Sequence, residues 1–209
     1  MCFSLEVSAL ASGILLTAGT VSTVHAWKTP KRYFAMIPLF FGIQQGIEAL
    51  QWMADKPSLC STTLGYGFLF FAFLIWPVFT PFAYWIMEKD AKHKLWLGRF
   101  TLLGACGSLF LLLCMLTLPL AIFTANHHIV YDIPVPFVAI GIPLYLLSVC
   151  TGFFSTRFRA RFLAATTLFG FCITLAAYMY AFTSVWCFFA AIFSGIVLWE
   201  VFAKEQKKK

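Results

Sequence analysis

Charged positions along this chain are sparse, and the stretches between them are long and almost wholly apolar. Seven such stretches follow one another, at residues 5–26, 34–53, 66–87, 100–124, 136–154, 162–182 and 184–203. About 20 apolar residues in a helix cross the hydrocarbon of a bilayer, so the pattern predicts seven transmembrane helices. The last two are divided because one helix of about forty residues would overrun any bilayer. They are expected to meet in a tight hairpin around Thr183. The fold class expected is therefore all-α: a single bundle over residues 1–203, with 204–209 as a basic tail. No Gly/Ser- or Pro-rich linker and no internal repeat argues for a division.

The basic residues orient the bundle. Lys28, Lys31 and Arg32 follow the first stretch, and Lys89, Lys92, Lys94 and Arg99 follow the third. Arg157, Arg159 and Arg161 follow the fifth, while Lys204, Lys207, Lys208 and Lys209 close the chain. Of the 15 lysines and arginines only Lys56 falls on the other side. The positive-inside rule then expects the N-terminus outside and the C-terminus in the cytoplasm. Thr23-Val-His-Ala26 faintly resembles a signal-peptide cleavage site. No basic residue precedes it, however, and Glu6 stands where positive charge belongs, so the first stretch is read as a retained span.

Composition agrees with this picture. The chain is 61% hydrophobic and 11% charged, with a mean hydropathy of +0.87. A soluble domain carries about 25% charged residues, so this is an integral membrane protein. The net charge of +7 is then a topology signal and a grip on anionic lipid at the cytoplasmic face. Nucleic acid is not an expected partner, because the basic residues are scattered over four short segments.

The polar residues within the spans gather toward the outer end. In the second span Gln44, Glu48 and Gln51 recur at helical spacing, flanked by Gln45 and Trp52. A carboxylate at that depth costs on the order of 2–3 kcal/mol if it faces lipid, so Glu48 is expected to face the bundle. It serves there as interhelical glue or as part of a site. Cys2, Cys60 and Cys187 also fall near the outer face. A disulfide between two of them, a thiolate nucleophile and a metal ligand are the readings open to them. Cys106, Cys114, Cys150 and Cys172 lie within spans and are read as packing residues. Between spans four and five stands Ala125-Asn-His127-His128-Ile-Val-Tyr131-Asp132. If this loop is helical, His128 and Asp132 share a face and His127 aligns with Tyr131. Tyr131 or Asp132 is then the natural group to orient an imidazole.

The third span carries Trp76-Pro77-Val-Phe-Thr80-Pro81-Phe-Ala-Tyr84. Two prolines four apart remove two amide donors, so a kink is expected, with Trp76, Thr80 and Tyr84 along one face of a cavity. Pro119 and Pro143 are further candidate kinks.

These motifs together resemble a family. The opening Met1-Cys2-Phe3-Ser4, the run FGIQQGIEALQW at 41–52, Trp76-Pro77, HHIVYDIP at 127–134 and SVWCFFAA at 184–191 are similar to a group of uncharacterised bacterial multi-pass membrane proteins that begin with Met-Cys-Phe-Ser. The resemblance covers nearly the whole chain. It implies seven spans in a bacterial inner membrane, and it implies that Cys2, Glu48, His127, His128, Tyr131, Asp132, Trp186 and Cys187 belong to the group's pattern. It implies no reaction.

Several chemistries are excluded. No lysine lies inside any predicted span, which rules out a retinal Schiff base. Neither a Walker motif nor a dinucleotide fingerprint is present, which argues against a nucleotide cofactor. Three readings remain. One is an outer-face site of Cys2, Gln45, Glu48, His127, His128, Tyr131, Asp132, Trp186 and Cys187. There Cys2, Glu48, His127, His128 and Cys187 would bind a transition metal such as zinc or copper, and the site would act on or sense an envelope or lipid-phase substrate. Another is a small-solute transporter or channel, and the third is a structural subunit with an outer-face disulfide.

Overall fold

The structure is a computed structural model that describes residues 4–203; Cys2 and the basic tail at 204–209 lie outside the described residues. Helix α1 (Leu5–Ala26) begins at Ser4, whose hydroxyl accepts a hydrogen bond from the Val7 amide. A short α2 (Arg32–Ala35) leads into α3 (Ile37–Met53), which returns along α1. The two backbones nearly touch. A Cβ built on Gly42 would stand 2.7 Å from the Leu16 amide nitrogen, so only glycine fits there. Ser12 and Ser22 reinforce the approach, donating to the carbonyls of Gly42 and Ala35 at 2.8 Å each.

The next rod runs from α4 (Leu59–Leu69) through a π-helical segment (Phe70–Ile75) into α5 (Trp76–Met87). Pro77 has no amide hydrogen, so the carbonyls one turn back lose their intrahelical donor. Neighbouring helices supply replacements. Ser108 of α6 (Ala91–Thr117) lies 3.1 Å from both the Phe73 and Leu74 oxygens as donor, and the Tyr145 hydroxyl of α7 (Val138–Val149) donates to Ala72 at 2.7 Å. The proline irregularity is thereby locked against two other helices rather than left as a free hinge. Gly104 of α6 packs on the Pro77 carbonyl so closely that any side chain there would collide with it.

Helix α6 stops at Thr117, seven residues short of the 124 expected from hydropathy. The reason is Pro119, which forces the residue before it into extended conformation: Leu118 has φ −105° and ψ 148°. The chain then forms an antiparallel hairpin, β1 (Ala121–Ala125) with β2 (His128–Asp132), joined by Asn126 and His127 alone. Both have positive φ, 46° and 59°, the mirror-image turn that suits the twist of a two-residue hairpin. The loop read conditionally as helix is thus strand. Helix α7 runs on after Cys150 as a 3₁₀ turn (Thr151–Phe154). Helix α8 (Phe158–Ala177) joins α9 (Phe182–Phe202) through a 3₁₀ turn (Met179–Ala181), slightly ahead of the expected bend at Thr183.

Among the described residues five helical stretches are long and apolar enough to cross a membrane: Leu5–Ala26, Leu59–Met87, Ala91–Thr117, Phe158–Ala177 and Met179–Phe202. Burial is inverted relative to a soluble bundle. On α1, Ser8, Ser12 and Ser22 are buried, whereas Leu10, Ile14 and Val21 are exposed. On α6, Leu102, Leu109, Leu113 and Leu116 are exposed while Ser108 faces inward. Apolar side chains outside and hydroxyls inside suit a hydrocarbon solvent, and the chain is a membrane protein.

Candidate functional site

The polar stripe of α3 is entirely inside the bundle: Gln44, Gln45, Glu48 and Gln51 each have 0% exposure. Their partners come from α4, α5 and α9 and from the stripe itself. Trp76 Nε1 donates to Gln44 Oε1 at 2.8 Å, and Gln44 Nε2 donates to Cys187 Sγ at 3.3 Å. Gln44 thus ties a tryptophan of α5 to a cysteine of α9, and Phe41, one turn earlier, stacks on Trp76 with ring centres 3.8 Å apart. Glu48 accepts from Gln45 Nε2 at 3.4 Å through Oε2 and from the Ser184 hydroxyl through Oε1. Gln51 donates to Ser61 near the start of α4. Three further polar atoms on this stripe, Gln45 Oε1, Gln51 Oε1 and Trp52 Nε1, are buried without a partner among the described residues.

The hairpin lies over this end and wedges between elements. Its alternation sends Ile129 and Tyr131 to one side, where the Tyr131 ring stacks on Phe68 at 4.5 Å. His128 and Val130 face the other side, and the His128 ring meets Tyr178 and Tyr180 edge-on at 5.3 and 5.7 Å. His128 is 3% exposed, and burial pushes its imidazole pKa down. Tyr131 therefore occupies the face opposite His128. His127 and Asp132, in the turn and at the strand end, are exposed.

Below the polar cluster is a cavity of about 50 Å³. Trp76, Thr80 and Tyr84 line it from α5, Tyr145 from α7, and Trp186, Cys187 and Ser194 from α9. Pro77 and Pro81 are buried in α5 behind that wall.

The structure therefore brings Gln45, Glu48, Trp186 and Cys187 into neighbouring positions in the bundle, and separates His127 and Asp132 from them at the surface. Among the described residues no three of His, Cys, Asp and Glu approach closely enough to hold one metal ion. Cys60, Cys106, Cys114, Cys150, Cys172 and Cys187 are all free thiols. Cys114 and Cys150 pack inside, whereas Cys106 and Cys172 face outward.

The whole chain, residues 1–209, matches a family model described as a family of unknown function. The chain belongs to the DUF6629 family. No curated protein and no solved structure matches it.

Two sites in this DUF6629 chain escaped the sequence reading, both at the opposite end of the bundle. Glu200, 3% exposed near the end of α9, pairs with Lys31 at 3.3 Å, Arg157 at 2.9 Å and Arg159 at 3.1 Å. Lys31 also donates to the Glu200 carbonyl at 2.7 Å. Glu88, just past α5, accepts from the Thr156 amide at 2.8 Å, the Thr156 hydroxyl at 2.7 Å and the Ser155 hydroxyl at 2.9 Å. Burial raises its pKa, but these bonds outweigh that and bring it down to about 2. A signal for Glu200 was available: like Glu48, it is an acid inside an apolar stretch.

Proposed function

We propose that this protein is a seven-span membrane protein, with its N-terminus outside and its C-terminus cytoplasmic, that passes a small solute through the bundle with Glu48 beside the route. Seven helical segments accompany the seven apolar stretches: α1, α3, the α4–α5 rod, α6, α7 with its 3₁₀ turn, α8 and α9. The basic residues supply the orientation.

The observation that carries the solute reading is a set of buried polar atoms with no partner among the described residues: Trp52 Nε1, Gln51 Oε1 and Gln45 Oε1 on α3, and Trp186 Nε1 and Ser194 Oγ on α9. Buried polar groups are almost always hydrogen-bonded, so such orphans mark where water or a solute supplies the missing partner. Glu48 and Cys187 stand on the same two helices, within four residues of Gln45 and Trp186. A metal site at this end would need a donor from outside the described residues, such as Cys2; the solute reading needs none.

The test is purified protein in liposomes, with shrinkage followed by stopped-flow light scattering against a panel of small neutral and ionic solutes. At least one solute is expected to equilibrate faster than in empty vesicles, and Glu48→Ala to slow it. Equal rates in loaded and empty vesicles across the panel would reject the reading.

A further inference from the structure

The cavity below the polar cluster carries no charge. None of its lining residues is Asp, Glu, Lys, Arg or His; its walls are Phe41, Trp76, Tyr84 and Tyr145, with the Thr80 and Thr167 hydroxyls among them. Two polar groups on its α9 side are unsatisfied. Trp186 is 5% exposed and Ser194 is 1% exposed, and neither Trp186 Nε1 nor Ser194 Oγ has a hydrogen-bond partner among the described residues. The indole is not free to turn toward another acceptor, because Tyr145 and Phe171 hold its ring edge-on at 5.3 and 5.5 Å.

The two orphans are eight residues apart on α9, about 12 Å along its axis at ~1.5 Å per residue. One small molecule cannot reach both. The cavity is lined along α9 by Trp186, Cys187, Ser194 and Val197 and holds about 50 Å³, room for only a few molecules of the size of water at roughly 10–15 Å³ each. Both orphaned groups belong to residues of that lining. An uncharged slot of this kind rejects ions, which would shed their hydration with nothing to replace it. An indole N–H can only donate, so whatever pauses at the outer station must carry an acceptor. The aromatic walls favour a molecule that also has some apolar surface.

We propose that Trp186 Nε1 and Ser194 Oγ are two successive binding stations for a small uncharged solute of about three heavy atoms bearing an acceptor oxygen, an amide or an alcohol. The proposal rests on the solute reading above and names its substrate class. Weak holding at two stations is what passage requires, because a tight single site would trap its ligand. Binding in the millimolar range or weaker follows from a ligand this small.

The test is saturation-transfer NMR on the detergent-purified full chain with formamide, ethanol and formate, which have equal heavy-atom counts. Formamide, ethanol or both are expected to receive saturation and formate none; the stronger of the two separates amide from alcohol. Trp186→Phe, which keeps the ring and removes the N–H, is expected to reduce the effect about five-fold. Ser194→Ala is expected to reduce it by a smaller factor. Should Trp186→Phe fail to fold, Ser194→Ala and the contrast of formamide with formate still decide. Saturation of formate equal to that of formamide, or a signal unmoved by both variants, would overturn the proposal. Saturation without vesicle flux would keep the stations and reject passage. Flux of ions only would reject the stations and keep passage.

Discussion

The Ser184 hydroxyl, two residues into α9, donates to the Glu48 carboxylate of α3, across 136 residues of sequence. The contact places the one acid of α3 against the head of the last helix, with Gln45 donating to the same carboxylate from one turn away. Removing the acceptor leaves both donors buried, which costs about 1–3 kcal/mol. Glu48→Leu is therefore expected to lower the thermal unfolding temperature in detergent, and Glu48→Gln, which keeps an acceptor, to lower it less. Glu6→Leu, at an exposed position, is expected to stay within about 0.5 kcal/mol of wild type. Equal effects of Glu48→Leu and Glu6→Leu would remove Glu48 from the site.

Ser108 supplies a donor to the carbonyls that Pro77 leaves open. Ser108→Ala is expected to destabilise by about 1–2 kcal/mol, read as a shift in unfolding midpoint. Thr117→Ala is the comparison: that exposed hydroxyl bonds only to Leu113 of its own helix, and its loss is expected to be near neutral. Midpoints that move together would mean the widened turn needs no lateral support.

Glu88 ties the loop after α5 to the loop before α8. Its folded pKa of about 2 lies below the ordinary carboxylate value, so its contribution is complete above about pH 5 and is lost as pH falls toward 2. Glu88→Gln is expected to cost about 2 kcal/mol at pH 7. The gap between variant and wild type should close between pH 5 and pH 2 in acid-unfolding curves. A gap that stays constant over that range would contradict the assigned role.

Glu200 is surrounded by Lys31, Arg157 and Arg159. Glu200→Leu leaves three cations facing one another in a largely buried place, and breaking such a group costs about 3–5 kcal/mol. Loss of folded protein on gel filtration is expected, with a clear rescue by Glu200→Asp. Arg161→Ala, at an exposed position on the same helix turn, is the comparison and is expected to leave folding unchanged.

The proposed orientation has its own measurement. In a Cys60→Ser background, a cysteine introduced at Asn126, in the exposed hairpin turn, is expected to add labelling by an impermeant maleimide applied to whole cells, and a reporter fused after Lys209 to be cytoplasmic. The reverse pattern would overturn the outward placement of the polar cluster.

Hydropathy alone determined that this chain lives in a membrane, because the transfer cost of a charge is so large that a 20-residue gap between charges has few other meanings. It also singled out Glu48 and the stripe around it, since a polar residue on a lipid-solvated helix is conspicuous by type and spacing. The end of α6 and the hairpin were legible in principle. Pro119 and the Asn126-His127 pair between two β-rich runs are local signals, but apolar strands read like apolar helix when only hydropathy is followed. What only the tertiary structure decided is who answers whom. Gln44 joins Trp76 to Cys187, Ser108 serves carbonyls that Pro77 exposed, and Glu200 draws in cations from the starts of α2 and α8. No periodicity encodes such pairings, because a hydrogen bond is chosen by which helix face packs against which, and that depends on close approaches such as Gly42 against Leu16. His127 and His128, adjacent in sequence, show the same limit. A two-residue turn exposes the first and buries the second, and strand alternation then parts His128 from Tyr131.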